Sequence, residues 1–270
     1  MATLVFFHAH PDDEAIATGG TMMRAAADGH RVVLVTATNG QLGNPVEGVA
    51  DQGEQLGTLR IAELQRAAQI LGVHRVETLA YMDSGMAGEP TNEAPAAFCQ
   101  VDVDHAAASL AELLAEEGAD VLTVYDADGS YGHPDHIQVH RVGVRAAEIA
   151  GVERVFESTI NRDYFTEMMA SMATAAGDGS DADFELPDVA TAEQPTFGQP
   201  DSVITHAIPV GDFLESKKAA MVAHASQIGP ESWFLAMGDE MFAHAFGTEW
   251  YTLRGVPSTD QKFTSIWDGL

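Results

Sequence analysis

Cysteine, lysine and long apolar runs are all scarce in this chain, and each shortage excludes something. Cys99 is the single cysteine in 270 residues, so neither a disulfide framework nor a thiolate zinc cluster can be built. Lysine occurs only at Lys217, Lys218 and Lys262, and 13 Lys+Arg face 41 Asp+Glu, a formal charge of −28. A chain this acidic repels nucleic acid and anionic membrane surfaces, and both drop out as partners. No run of roughly 18 apolar residues is available for a transmembrane helix. The first ten residues pass from a short apolar strand straight into acidic residues, without the basic n-region and long h-region of a signal peptide. A cytoplasmic location is therefore expected. The acidity reads as surface solvation rather than as chemistry.

What is present is a regular alternation of strand and helix patterns. Leu4 to Phe7 reads as a buried strand ending at His8-Ala9-His10, followed by a helix from about Pro11 to Ala27 that Gly29 stops. Arg31 to Thr36 is the next strand, and the Gly-rich stretch 39–57 reads as a loop. Ile61, Leu64, Ala68 and Leu71 mark one face of a helix that ends at Gly72. A strand over Val76 to Tyr81, a helix over Val103 to Glu117, a strand over Val121 to Tyr125 and a helix over Pro134 to Ala150 follow. This order predicts an α/β fold with a Rossmann-like, mostly parallel sheet and helices on both faces. One domain over 1–270 is expected, with its core in 1–150 and a less regular part in 151–270. The acidic stretch 175–202 reads as an exposed insertion, and a helix over about Val210 to His224 packs back on the sheet. Such sheets bind ligands at the carboxyl ends of their strands.

Two segments at those ends carry the chemistry: His10-Pro11-Asp12-Asp13-Glu14 and His133-Pro134-Asp135-His136. Half of each is ordinary grammar for a helix start, with proline in the first turn and acidic residues at the positive end of the dipole. Two copies after two different strands are harder to assign to capping alone. His10 and Asp13 share a helix face at i and i+3, as do His133 and His136. If the two starts meet, three or four N and O donors converge. Two imidazoles and a carboxylate suit a catalytic metal with an open position, zinc first and Fe(II) as the alternative. Asp12 lies about 100° round the helix from Asp13, which makes it the geometric candidate for a general base. Glu14 points further round and reads as a helix-start or pairing group. His8 and His140 read as supporting or packing histidines, Lys217 and His224 as residues that dock one helix, and Cys99 as a small buried apolar side chain.

These two motifs and their spacing resemble the PIG-L/LmbE-like de-N-acetylases. The likeness extends to Arg60-Ile61-Ala62-Glu63-Leu64, to Met82 through Gly88, and to Lys217 through Gln227. That family includes a mycothiol-pathway deacetylase of N-acetylglucosaminyl inositol and an amidase of mycothiol conjugates. The resemblance implies an LmbE-like fold, with His10, Asp13 and His136 as zinc ligands and Asp12 as general base. It implies that His133 assists the intermediate or protonates the leaving amine, that Tyr131 lies near the substrate carbonyl, and that Arg60 and Asp83 bind the sugar. The expected activity is zinc-dependent removal of an N-acyl group from a small amino-sugar substrate. The alternatives are an amidase of thiol conjugates, a non-haem Fe(II) redox enzyme, and a non-catalytic sugar-binding relative.

Overall fold

The structure, a computed structural model, describes residues 1–176 and 197–270, the side chains of 172–176 apart. The insertion expected over 175–202 therefore falls for its greater part outside the described residues. Strand β1 (Thr3–His8) leads to two short helices, α1 (Asp13–Ala17) and α2 (Gly19–Ala27), and then to β2 (Arg31–Thr38). Helix α3 (Glu54–Ile70), β3 (Arg75–Tyr81), α4 (Val103–Glu117) and β4 (Val121–Tyr125) follow. After one tight turn, α5 (Gly129–Gly132), come α6 (Pro134–Ala150), β5 (Arg154–Thr159) and α7 (Arg162–Ala176). Beyond Phe197 lie β6 (His206–Pro209), α8 (Leu214–Ala223), α9 (Trp233–Ala236), α10 (Asp239–Phe246) and β7 (Thr248–Leu253).

Among the described residues the strands form one sheet in the order β3-β2-β1-β4-β5-β7-β6. β1 to β5 are parallel, and β7 runs antiparallel to both β5 and β6. This is the expected mostly parallel α/β sheet, with β7 wedged between β5 and β6 as the part that local pattern did not foretell. Alternation along each strand separates two cores. Leu4 and Phe6 join Met22, Leu34, Leu64 and Met221 on the face covered by α2, α3 and α8. Val5 and Phe7 join Val33, Leu110, Val124 and Val142 on the face covered by α4 and α6. With both faces covered, the central strands are buried almost end to end and mostly apolar.

The chain winds outward from β1 to β2 and β3, then returns to place β4 beside β1 and continues the other way to β5. β1 and β4 thus flank the point where strand order reverses, and the loops leaving their carboxyl ends part to open a crevice. The two His-Pro-Asp segments leave these two strands, which is why segments 123 residues apart in sequence meet.

The helix expected from Pro11 to Ala27 is two helices. Thr18 interrupts it at φ −136° and ψ 4°, with its hydroxyl 2.8 Å from His8 Nε2. The break frees the N–H groups of Gly20 and Thr21, and both donate to the Glu249 carboxylate at 2.8 Å. A buried anion at a helix start is favourable, and Lys217 pairs with the same carboxylate at 2.5 Å. A Cβ on Gly20 would collide with Val210, so the two segments approach as only glycine permits. The expected loop over 39–57 ends where α3 begins, at Glu54, and the expected helix over 210–224 is a 3₁₀ turn (Gly211–Phe213) followed by α8. Cys99 is half-buried rather than buried. No helix among the described residues is long and apolar enough to cross a membrane.

Candidate metal centre

The two motifs start their helices differently. His133 is the N-cap of α6 at φ −64° and ψ 129°, with Pro134 in the first turn and His133 Nδ1 accepting from the Asp135 N–H at 3.1 Å. This is an ordinary extended cap. At the first motif the N-cap of α1 is Asp12, at φ 109° and ψ −32°, and its side chain makes no capping hydrogen bond. Such a backbone costs a non-glycine residue about 1–3 kcal/mol. Relieved of capping, the Asp12 carboxylate turns instead into the crevice.

Asp13 stands at the centre of the donor set. Its Oδ2 lies 3.3 Å from His10 Nδ1 and its Oδ1 lies 3.4 Å from His136 Nε2. Oδ2 also accepts the His10 backbone N–H at 2.9 Å. The His10, His133 and His136 rings are 4.7 to 5.5 Å apart between centroids, and all three are buried. Ring nitrogens of His10, His133 and His136 form one group with metal-ligating spacing, and His10, Asp83 and Asp135 form another. The structure thus brings His10, Asp13, His133 and His136 together. His10 Nε2 lies 3.1 Å from Asp135 Oδ2, which leaves Nδ1 to face Asp13. Because His133 Nδ1 accepts from the backbone, its neutral ring carries the proton on Nε2. His136 lies flat against Tyr125, 4.0 Å between centroids and 6° between planes, and its Nδ1 is buried without a partner among the described residues.

The field of the site favours added positive charge. Burial alone would lower His10, but Asp13, Asp135 and Asp83 outweigh it and hold the imidazole well above its ordinary range. Burial would raise Asp13, yet His136 and His10 hold it well below the carboxylate range. At His133 the balance is reversed: burial together with His10 and His136 outweighs Asp13 and Asp83 and pushes it down to about 2. Burial pushes Asp12 up to about 6 against the opposing Arg60 guanidinium, whose Nη2 is 3.1 Å from Asp12 Oδ2. A dication alongside would act in the same direction as Arg60.

These groups meet the requirements of a metal. Two ligands of one tetrahedral ion at about 2.0–2.1 Å stand about 3.3 Å apart, the spacing that Asp13 keeps from His10 and from His136. The donors are imidazole and carboxylate without thiolate, the set that suits a hydrolytic ion with an open position. Asp135 on the far nitrogen of His10 is the outer partner that fixes the ring and its tautomer.

The remaining expected residues line the same crevice. Arg60 is 3% exposed and donates to the carbonyls of Gly40 and Pro11 at 2.6 Å as well as to Asp12. A Cβ on Gly40 or Gly43 would strike its guanidinium, so the glycines of the 39–53 loop are what let the loop close over it. Asp83 accepts from the N–H groups of Leu42 and Gly85 at 3.0 and 2.9 Å and sits 3.6 Å from His10 Nε2. Tyr131 follows Ser130, which is at φ 64°, and places its hydroxyl 3.5 Å from His136 Nε2. His10, Asp12, Arg60, Asp83, His133 and Gln227 line a polar recess of about 150 Å³. Asp13, Met86 and Tyr131 also border a second cavity of about 480 Å³, walled by aromatic and methionine side chains such as Phe165, Met168, Trp233 and Phe246.

Several supporting groups were beyond sequence reading. Asp135 accepts from the Ser84 N–H at 3.0 Å and from its hydroxyl, although its position in the second motif suggested only a helix dipole. Tyr125 OH reaches His8 Nδ1 at 3.0 Å and the Ala9 N–H at 3.1 Å, and His140 Nδ1 meets the Tyr125 carbonyl at 3.0 Å. His8 and His140 are therefore supporting histidines around the tyrosine that stacks on His136. Glu14 accepts from the Asp12 N–H at 2.9 Å and pairs with His224, so His224 ties α8 to α1, while Lys217 ties α8 to β7 through Glu249.

A family model for GlcNAc-PI de-N-acetylases, PIG-L, matches residues 5–147, the span from β1 to α6 that carries both motifs. The 1D-myo-inositol 2-acetamido-2-deoxy-alpha-D-glucopyranoside deacetylase of Acidothermus cellulolyticus is 41% identical over 284 residues, covering 100% of this chain and 96% of the relative. Among solved structures, the N,N'-diacetylchitobiose deacetylase of Pyrococcus horikoshii shares the fold with a TM-score of 0.59 at 20% identity, over 94% of this chain and 84% of that one. The 4-carboxy-2-hydroxymuconate hydratase GalB of Pseudomonas putida KT2440 shares it with a TM-score of 0.61 at 14% identity, over 97% and 99%. A deacetylase and a hydratase on one fold show that the fold alone does not select the chemistry. With a matched span longer than half its length and a relative similar from end to end, this chain belongs to the PIG-L family of GlcNAc-PI de-N-acetylases.

Proposed function

We propose that this chain is a zinc-dependent hydrolase that removes the N-acetyl group from a 2-acetamido-sugar glycoside, with N-acetylglucosaminyl inositol as the substrate to which the names of its full-length relatives point. The observation that carries this reading is Asp13 wedged between His10 and His136 with the Asp12 carboxylate, free of capping and held by Arg60, beside it. His10, Asp13 and His136 would hold the ion. Bound zinc lowers the pKa of a coordinated water toward about 7 and polarises an amide carbonyl.

The chain's own groups divide the rest. Asp12 accepts the proton that the attacking water gives up, and Arg60 fixes the direction of its carboxylate. Tyr131 donates its hydroxyl hydrogen bond toward the developing oxyanion. His133 presents Nε2–H to the leaving nitrogen. Asp12 passes the water's proton to that nitrogen as the C–N bond breaks, so the water oxygen ends on acetate and the Asp12 carboxylate is restored, while the neutral His133 keeps its own proton and serves as a hydrogen-bond donor. Arg60, Asp83 and Gln227 offer the polar recess to the sugar hydroxyls. The apolar cavity behind Tyr131 supports a second reading, an amide with a bulkier acyl group such as a thiol conjugate, whose acyl side would face away from the polar recess.

Acetate and amine release, measured with zinc-loaded and chelated protein across N-acetylated sugars, inositol glycosides and thiol conjugates, tests both. The expected result is zinc-dependent release, highest for the N-acetylated inositol glycoside. Equal rates in chelated protein contradict the metal assignment, and preference for the conjugates selects the second reading.

A further inference from the structure

Asp12 holds a backbone conformation that its own residue type disfavours, at φ 109° and ψ −32°. The groups that keep it there are identifiable. Its N–H donates to Glu14 Oε2 at 2.9 Å. Its carbonyl accepts from Ala15 and Ile16 at 3.1 and 3.3 Å, so the helix also begins from it. Pro11, just before it, has its carbonyl held by Arg60. Glu14 therefore ties down the cap residue from inside the first turn. In a capping box the N-cap side chain bonds forward while a carboxylate bonds back to the N–H of the cap, whereas here only the backward bond is made. The Asp12 carboxylate, which makes no forward bond, is left to the crevice.

Glu14 cannot do this alone. Its side chain is fully buried, and a buried carboxylate without a partner is costly. His224, also fully buried, meets Glu14 Oε1 through Nε2 at 2.5 Å. His224 lies at the C-cap of α8, 210 residues further along the chain. Its neighbour Ser226 bonds Glu63 of α3 through N–H and hydroxyl at 2.9 and 2.6 Å, which fixes the loop that carries His224. A continuous chain of contacts thus runs from Ser226 and His224 through Glu14 to the Asp12 N–H.

We propose that Glu14 and His224 are positioning residues that clamp the Asp12 backbone in its left-handed conformation and so aim its carboxylate beside the donor set. The consequence for catalysis rests on the reading of Asp12 as proton acceptor; the clamp itself does not. Glu14→Ala removes the acceptor for the Asp12 N–H, while Glu14→Gln retains one amide oxygen for it. His224→Ala leaves Glu14 buried without its partner, and His224→Gln restores a donor.

Two measurements test the clamp. In zinc-loaded protein, Glu14→Ala lowers kcat by about 10²-fold with KM and zinc stoichiometry near wild type, the mark of a displaced reacting group rather than lost binding. His224→Ala shifts kcat the same way by about 10-fold, and the glutamine variants recover most of each loss. The second measurement is independent of activity. Glycine accepts the conformation at residue 12 without strain, so in an Asp12→Gly background the drop in unfolding midpoint caused by Glu14→Ala, or by His224→Ala should Glu14→Ala fail to fold, shrinks to less than about half its value. Equal drops in the two backgrounds overturn the clamp. Wild-type kcat in folded, zinc-loaded Glu14→Ala and His224→Ala overturns its role in turnover. Should Asp12→Asn itself keep the wild-type rate while the drops in midpoint remain coupled, the proton-acceptor reading fails and the clamp stands.

Discussion

The same three residues, His-Pro-Asp, open two helices in this molecule, and the two starts do opposite things with them. At 133–135 the backbone is relaxed and the histidine caps the helix, so Asp135 turns inward to hold His10 and Ser84. At 10–12 the cap is Asp12, the backbone is strained, and a carboxylate two residues on holds the N–H of the cap. The second copy is built for rigidity and supplies His136 and His133 from a regular helix of 17 residues. The first places Asp12 and Asp13 side by side in different surroundings, Asp13 between His10 and His136 and Asp12 beside Arg60. A repeated motif is therefore evidence of where a site lies, and not of what each copy contributes.

The contrast can be broken from either side. The largest effect is expected at the regular helix: His136→Ala removes one wall of the donor set, and zinc retention and hydrolysis fall together to background in metal analysis and acetate assay. Asp135→Asn is milder, because it disturbs the outer partner of His10 rather than a ligand. Its zinc affinity should drop by about 10- to 100-fold in competition with a chelating dye. Comparing glycine with alanine then separates the two caps. In the metal-free fold Asp12→Gly should be more stable than Asp12→Ala by about 1 kcal/mol or more, because both lose the Arg60 pair and only glycine is free of the strain. By contrast, His133→Gly and His133→Ala, at a relaxed cap, should differ by less than about 1 kcal/mol. Urea unfolding of the four variants reads the difference directly, and equal gaps at the two positions would remove the contrast.

The smallest effect lies away from both motifs. His206, between the rings of Phe156 and Phe263, is pushed down to about 4 by burial and by Arg154. The fold favours its neutral form, so the unfolded chain binds a proton near the ordinary value of 6.5 that the fold refuses. Its contribution is whole above about pH 6.5 and is lost as pH falls toward 4. His206→Gln should flatten this part of the stability profile while leaving the metal site unaffected.

How much of this was legible beforehand follows the range of the interactions. α4, β4 and α6 fall on the residues expected for them, because periodicity, a C-cap glycine and a first-turn proline are local signals. The convergence of the two motifs was legible through topology, since both follow strands that flank the reversal of strand order. The break at Thr18 was not, because its cause is a carboxylate at Glu249, more than 200 residues away. Nor was β7 between β5 and β6, whose pairing is non-local. Arg60 was expected at the sugar, and it does line the polar recess, but three of its hydrogen bonds go to Gly40, Pro11 and Asp12. Only the glycines of the preceding loop hinted that something bulky would be enclosed there. The left-handed Asp12 left no trace in composition, since nothing in its neighbourhood marks an aspartate as strained until His224 is brought against Glu14.

The measurement that bears most directly on the division between the two starts is made on Asp12→Asn, with zinc content and kcat determined on the same preparation. The prediction is full zinc occupancy with turnover reduced by about 10²- to 10⁴-fold, the range for loss of a general base. Wild-type turnover, or loss of zinc in step with turnover, would contradict it and would remove Asp12 from the proton-accepting role.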